Sequence, residues 1–171
     1  MKKVILGLGS NRSFNSMSPI QILDAACEEL SLIMEKLSFS SVYTSKAMYV
    51  QDQEDFYNMA CFGYVSDDED PYLFLDTIHK IEEKYGRNRS SEIRFGPRSL
   101  DIDIEEFEGV VSEDPVLTLP HHRIKATAFV LIPLLELYSE SAEDLRRKEV
   151  SENLSRLNNL DDVRLFRKNP S

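Results

Sequence analysis

The sequence predicts an α+β protein of ferredoxin-like plan, in which helices back a single-domain antiparallel sheet. Two observations carry that expectation. Apolar residues switch between strand and helix periodicity in the order β-α-β-β-α-β, and the first two helices open on capping signals. Composition agrees, since 42% hydrophobic and 29% charged residues over 171 positions suit one domain with a full core. Residues 1–171 are read as that one domain, without internal repeat, linker or low-complexity stretch.

Val4 to Leu8 predicts a buried first strand that ends in the turn Gly9-Ser10-Asn11. Ser18, Pro19 and Gln21 then supply a capping box with proline at the first helical position. Leu23, Ala26, Cys27, Leu30, Ile33, Met34 and Leu37 form the apolar stripe of the helix that follows. Phe39–Thr44 and Met59–Val65 are rich in aromatic and β-favouring residues and predict an antiparallel pair, joined by a polar loop around Gln51-Asp52-Gln53. Asp70 and Pro71 open a second helix whose stripe is Phe74, Leu75, Ile78, Ile81 and Tyr85, closed by Gly86. A strand from Asp101 to about Phe107 follows. Pro120 and the pair His121-His122 precede a helix over Phe129–Leu137, apolar enough to be buried on most sides despite Pro133. Residues 138–171 form a charged helical tail, periodic from Ala142 to Leu157, with a final strand at Val163–Phe166.

The formal net charge of -10 argues against a general nucleic-acid surface, which draws on a positive patch or stripe. Cys27 and Cys61 fall in a helical and a strand pattern and read as small core residues, which fits a reducing cytoplasm. The apolar run at Val4 is too short for a signal-peptide core or a membrane span, so no export and no membrane are expected.

Chemistry concentrates at Gly96–Ile104. Strict alternation there puts Asp101 and Asp103 on one strand face and Leu100, Ile102 and Ile104 on the other. Carboxylates two residues apart are about 6.5–7 Å apart along a strand. They suit one or two hard cations, and Mg²⁺ typically takes one or two carboxylates plus substrate phosphates. Just upstream, Arg87, Arg89, Arg94 and Arg98 face one acid, Glu92, a local charge of about +3 that suits phosphate oxygens. There is no Walker loop, and Arg12 stands where a dinucleotide fingerprint needs its third glycine, so phosphate binding falls to side chains and metal. His79 and Glu82 share a helix face leading into the arginine loop. His121 and His122 lack zinc-ligand spacing and suit hydrogen bonding to a phosphate or base. Phe56 and Asn58 pair an aromatic plane with an amide, which suits a flat heterocycle.

Together Gly9-Ser10-Asn11, Gln51-Asp52-Gln53 with Phe56 and Asn58, Gly86-Arg87-Asn88-Arg89, Phe95–Ile104 and Pro120-His121 with Phe129–Leu134 resemble the 6-hydroxymethyl-7,8-dihydropterin pyrophosphokinase family over about residues 4–137. The resemblance implies transfer of the β,γ-diphosphate of ATP to a pterin alcohol in folate biosynthesis, on a ferredoxin-like fold. It further implies that Asp101 and Asp103 bind two Mg²⁺ ions bridged by ATP, and that Arg87 and Arg98 steady the transferring phosphates. Glu82, Arg89, Ile104 and His121 would contact the nucleotide, with His79, His122, Arg123 and Lys125 in the same neighbourhood. Phe56 and Phe129 would sandwich the pterin, while Asn58 and groups near Ser45 and Met48 meet its edge. Segments 10–17, 45–54 and 86–97 correspond to loops that close over the substrates. No obligate protein partner is implied.

Departures from the family pattern are His79 for glutamine, His122 for proline or tyrosine, and Thr127 for a phosphate-contacting arginine, whose place Arg123 or Lys125 would take. Phe95 replaces a frequent tryptophan and Ser45 a threonine. Two rival readings use the same residues. A ferredoxin-like single-stranded nucleic-acid module conflicts with the acidic charge and paired aspartates. A metal-dependent phosphohydrolase leaves Phe56, Asn58 and Phe129 without a role.

Overall fold

The computed structural model describes residues 1–46, 54–88, 97–139 and 144–169. In chain order it comprises β1 (Lys2–Ser10), α1 (Pro19–Leu30), β2 (Glu35–Phe39), β3 (Val42–Ser45), β4 (Phe56–Val65), α2 (Pro71–Lys84) and β5 (Asp101–Phe107). A short hairpin, β6 (Ser112–Asp114) and β7 (Leu117–Leu119), leads through a 3₁₀ turn at His122–Lys125 to α3 (Ala128–Ser139), α4 (Asp144–Ser155) and β8 (Val163–Arg167). The main sheet is ordered β5-β1-β4-β3-β8, with β2 also on β4, and its pairings are antiparallel. The ferredoxin-like α+β plan is the one the element order predicts.

Alternation in β1 divides two cores. Val4, Leu6 and Leu8 join Leu23 and Leu30 of α1, Ile78 of α2 and Ile102 and Ile104 of β5, while Ile5 and Ala60 pack under Leu131 and Leu134 of α3 and Val150 of α4. Each fully buried Leu or Ile contributes about 1.5–3 kcal/mol of transfer free energy. Both caps form as expected: Ser18 and Gln21 bond reciprocally, and the Asp70 side chain accepts from Tyr72 and Leu73 N–H.

The predicted stripe of α1 overruns the helix. Ser31 ends it by turning its hydroxyl onto the Cys27 carbonyl at 2.8 Å, so Ile33, Met34 and Leu37 lie beyond the helix and Leu37 belongs to β2. Met34 and Leu37 still reach the core, because Gly63 leaves them room: a Cβ there would stand 2.9 Å from Leu37 Cδ2. The single strand expected at Phe39–Thr44 is instead two, broken at Ser40-Ser41. Ser40 Oγ accepts the Ala60 N–H at 2.9 Å, a side chain standing in for a ladder carbonyl. The hairpin β6–β7, with three residues per strand, carries too little alternation to be read from sequence.

Candidate active site

β5 delivers its acids as the alternation predicts, but the acidic face is longer than Asp101 and Asp103. Glu105 continues it and is 1% exposed. The ladder explains why Phe107 nevertheless points into the opposite core. Leu6 pairs with Ile104 and Ile5 with Glu106, so Glu105 is the extra residue of a bulge that restores Phe107 to the Ile104 side. Gly7, beside Asp103 in register, makes room for the Glu105 side chain; a Cβ there would lie 2.8 Å from Oε1.

Arginines engage both aspartates. Asp101 accepts hydrogen bonds from Arg87 and Arg98, and Asp103 from Arg123 at 3.1 Å. Burial pushes the Asp101 carboxyl upward, but the two guanidiniums outweigh it and hold it below its ordinary value. Asp103, pushed up by burial and then by repulsion from Asp101, titrates at about 7. The same two causes, with Asp103 as the neighbour, hold the Glu105 carboxyl well above its ordinary value.

Local geometry aims Arg87. Gly86 at φ 88 closes α2 in the left-handed region, where a Cβ would meet the Phe14 ring, and the chain turns back so that Arg87 N–H bonds the Glu82 carbonyl at 3.0 Å. Glu82, with no exposed surface, accepts from Arg87 at 2.7 Å and from Ile102 N–H at 2.8 Å through one oxygen. It ties α2, Arg87 and β5 together beneath the site. Arg98 is held by the first turn, because Asn11 Oδ1 accepts its N–H at 2.8 Å and its carbonyl accepts from Asn11 and Arg12 N–H. Gly9-Ser10-Asn11 is thus a staple for the second arginine.

Two recesses meet at Asp103. One, lined by Gly7, Gly9, Asn58, Asp101, Glu105 and Phe129 among others, also contains Asp103. Phe56 flanks it, 3.9 Å from where a Gly9 Cβ would stand. Asn58 is buried, and its Nδ2 donates to Ser45 Oγ at 2.7 Å across β3 and β4. The other is a groove of about 190 Å³ between α2, β5 and the β6–β7 hairpin, where Asp103 meets His79, Ile104, His121 and His122. All three histidines of the chain line this groove. His121 Nδ1 accepts the Arg123 N–H at 3.3 Å, and burial, then His122 and Arg123, lowers its titration to about 4. The ring is therefore neutral near pH 7, with its proton on Nε2.

The family model for 7,8-dihydro-6-hydroxymethylpterin-pyrophosphokinase (HPPK) matches residues 5–139. The chain belongs to the HPPK family. It is similar to the 2-amino-4-hydroxy-6-hydroxymethyldihydropteridine pyrophosphokinase of Haemophilus influenzae, 32% identical over 137 residues that cover 79% of this chain and 81% of that protein. The enzyme of the same description from Pseudomonas aeruginosa is 34% identical over 150 residues, covering 85% and 84%. Among solved structures, the Plasmodium falciparum HPPK-DHPS wild type with SDX-DHP superposes with a TM-score of 0.64 over 96% of this chain at 15% identity, a likeness of fold. This chain spans 47% of that one's length.

Of the residues that the resemblance assigned to an HPPK site, Arg87, Arg98, Asp101, Asp103, Asn58, Phe129 and Arg123 converge on the first recess and its rim, and His79, Ile104, His121 and His122 on the groove. Ser45 joins through Asn58. Lys125 does not join them: it is exposed and lines a separate cavity with Glu106, Tyr138 and Arg146. Met48 and Arg89, with Phe95, Gln51-Asp52-Gln53 and the rest of 47–53 and 89–96 in the expected closing loops, lie outside the described residues. Thr127 sits at the entry of α3, where its carbonyl accepts from Val130 and Leu131 N–H. Sequence reasoning missed Glu105 and the hairpin wall. The first was legible, as the next member of the Asp101, Asp103 alternation.

Proposed function

We propose that this chain transfers the β,γ-diphosphate of ATP to 6-hydroxymethyl-7,8-dihydropterin, releasing AMP, as its family membership implies for folate biosynthesis. The observation that carries the residue assignments is the position of Asp103 in both recesses. A nucleotide in the histidine groove and a pterin against Phe129 and Asn58 would bring β-phosphorus and hydroxyl together at that carboxylate.

The site fits Mg²⁺. Its donors are hard oxygens, and Asp103 is raised to about 7 partly by Asp101, an excess of negative charge that a divalent cation relieves. Among the described residues no group of three or more His, Cys, Asp or Glu is arranged to hold a metal, so substrate phosphates would complete the shell around Asp101 and Asp103. Two such ions would supply charge neutralisation on the phosphates. The protein's own work is positioning. Arg87 and Arg98, now on Asp101, would be free to turn toward the phosphates if a cation held the aspartates, with Glu82 and Asn11 keeping both within reach. The neutral His121 presents Nε2–H to the nucleotide. Phe56 and Phe129 cover the pterin faces and Asn58 its edge. Both cysteines are free and the Cys61 thiol is buried, which supports a reducing cytoplasm as its place of work.

Incubation with Mg²⁺ and ATP, followed by nucleotide chromatography, tests the reading. AMP forms only when the pterin alcohol is present. Phosphate release without pterin would instead make the chain a phosphohydrolase.

A further inference from the structure

The cavity that Lys125 lines holds about 330 Å³, against about 190 Å³ for the groove at Asp103, and lies among the end of β5, the turn at His122–Lys125, α3 and α4. It shares no lining residue with that groove or with the first recess. Small-molecule pockets begin at about 300 Å³, so a ring system with one substituent has room. Phe107, Ile124, Leu134 and Val150 are buried and make an apolar floor, and Val111, 84% exposed, leaves an apolar side chain to solvent at the rim. Charge is distributed unequally around it. Arg146 takes both carboxylates of the cavity, Glu106 through Nη2 and Glu149 through Nη1 at 3.0 Å, so the three close one wall as an ion triad. Lys125 is the unmatched charge: among the described residues its ammonium group has neither an ion pair nor a hydrogen bond. The 3₁₀ turn sends its two cations apart, Arg123 to Asp103 and Lys125 to the cavity, with buried Ile124 between them.

We propose that this cavity is a second ligand site, separate from the one at Asp103, for a small amphipathic anion. The apolar body lies on the floor of Phe107, Ile124, Leu134 and Val150, and a carboxylate or sulfonate meets Lys125 at the mouth. Apolar surface removed from water supplies the affinity, and the one unmatched cation selects the sign of the charge. A cationic ligand would gain nothing from carboxylates that Arg146 already holds and would be repelled by Lys125.

The test titrates the whole chain with 8-anilinonaphthalene-1-sulfonate, followed by its fluorescence, and with the neutral N-phenyl-1-naphthylamine. Lys125→Glu, Lys125→Arg and Lys148→Glu are compared with wild type, each checked for folding by circular dichroism; Lys148 is exposed on α4 and does not line the cavity. Wild type is expected to bind the sulfonate at one saturable site, with nuclear Overhauser contacts from the naphthalene ring to the Leu134 and Val150 methyls. Lys125→Glu should bind it about tenfold more weakly, the worth of one charge-assisted contact, while Lys125→Arg keeps the cation and should bind as wild type does. The neutral dye should bind wild type more weakly than the sulfonate does and should not distinguish wild type from Lys125→Glu. No saturable binding by wild type would overturn the proposal, as would contacts to Phe129 and Val130 instead, which place the dye in the recess at Asp103. An equal loss in Lys148→Glu would also overturn it, by showing an effect of net charge alone. Should Lys125→Glu fail to fold, the two dyes on wild type decide: a weaker neutral dye supports the proposal, and equal binding overturns it. Neither ATP nor pterin is present, so the outcome is independent of the diphosphotransfer reading.

Discussion

Asp103 and Asp101 are two residues apart and are shifted in opposite directions. Asp101 is kept ionised by Arg87 and Arg98, while Asp103 has Arg123 and the repulsion of its neighbour. The ordinary value for Asp103 is 3.8 and the folded value about 7. The native state therefore holds a proton that the unfolded chain has lost across that window, and metal-free stability falls as pH rises through it. Asp103→Asn removes this slope and, with it, a metal ligand. The variant is expected to lose turnover and to gain melting temperature over wild type, by more at about pH 8 than at about pH 5. Parallel melting curves at the two pH values would refute the assignment. At Asn58, truncation to alanine leaves a buried partner unpaired and should weaken pterin binding by about 1–3 kcal/mol while barely changing nucleotide binding measured alone by calorimetry. We propose that Arg123, rather than Lys125, stands in for the arginine absent at Thr127. Arg123 reaches Asp103 and Lys125 faces another cavity. Arg123→Ala should weaken binding of an ATP analogue by about 1.5–3 kcal/mol, the worth of a charge-assisted contact, and Lys125→Ala should leave it unchanged; equal losses would contradict this.

Among the elements, β5 and α2 were the most legible, because a strict period-two alternation and a capped period-3.6 stripe each have one structural solution. The bulge at Glu105 was not, since Ile104 and Phe107 are three apart and a regular strand would send them to opposite faces. Nor was the break at Ser40-Ser41, which depends on distant groups. Glu136 of α3 accepts from Ser41 N–H at 2.9 Å, Ser41 Oγ at 2.7 Å and Tyr43 OH at 2.9 Å. No local pattern announces a carboxylate 95 residues away. The same cluster joins the helix bearing Phe129 to the strand bearing Ser45, so it sets the spacing of two walls of the first recess. Glu136→Ala should cost about 2–4 kcal/mol in urea unfolding, because three donors lose a half-buried partner. A loss below about half a kcal/mol would show that water replaces the carboxylate freely.

Across the whole molecule, the two helical layers do different work. α1 and α2 cover one sheet face fully, whereas α3 and α4 cover Ile5 and Ala60 on the other and leave the recess at Gly7, Gly9, Asn58 and Asp101 beside them. The site therefore lies on a rigid central sheet, with arginines supplied from turns that the sheet anchors. That division follows from alternation in β1, where glycine at positions 7 and 9 breaks the apolar series on one face only. The central claim is that the pterin hydroxyl is placed against the β-phosphorus of ATP at Asp103. Mass spectrometry of the products formed from ATP carrying a heavy oxygen isotope in the α,β-bridge tests it most directly. Attack at the β-phosphorus breaks the bond from that phosphorus to the bridge, so all of the label is expected in AMP and none in a pterin bearing two phosphates. Label in ADP beside a singly phosphorylated pterin, or in free diphosphate, would contradict it.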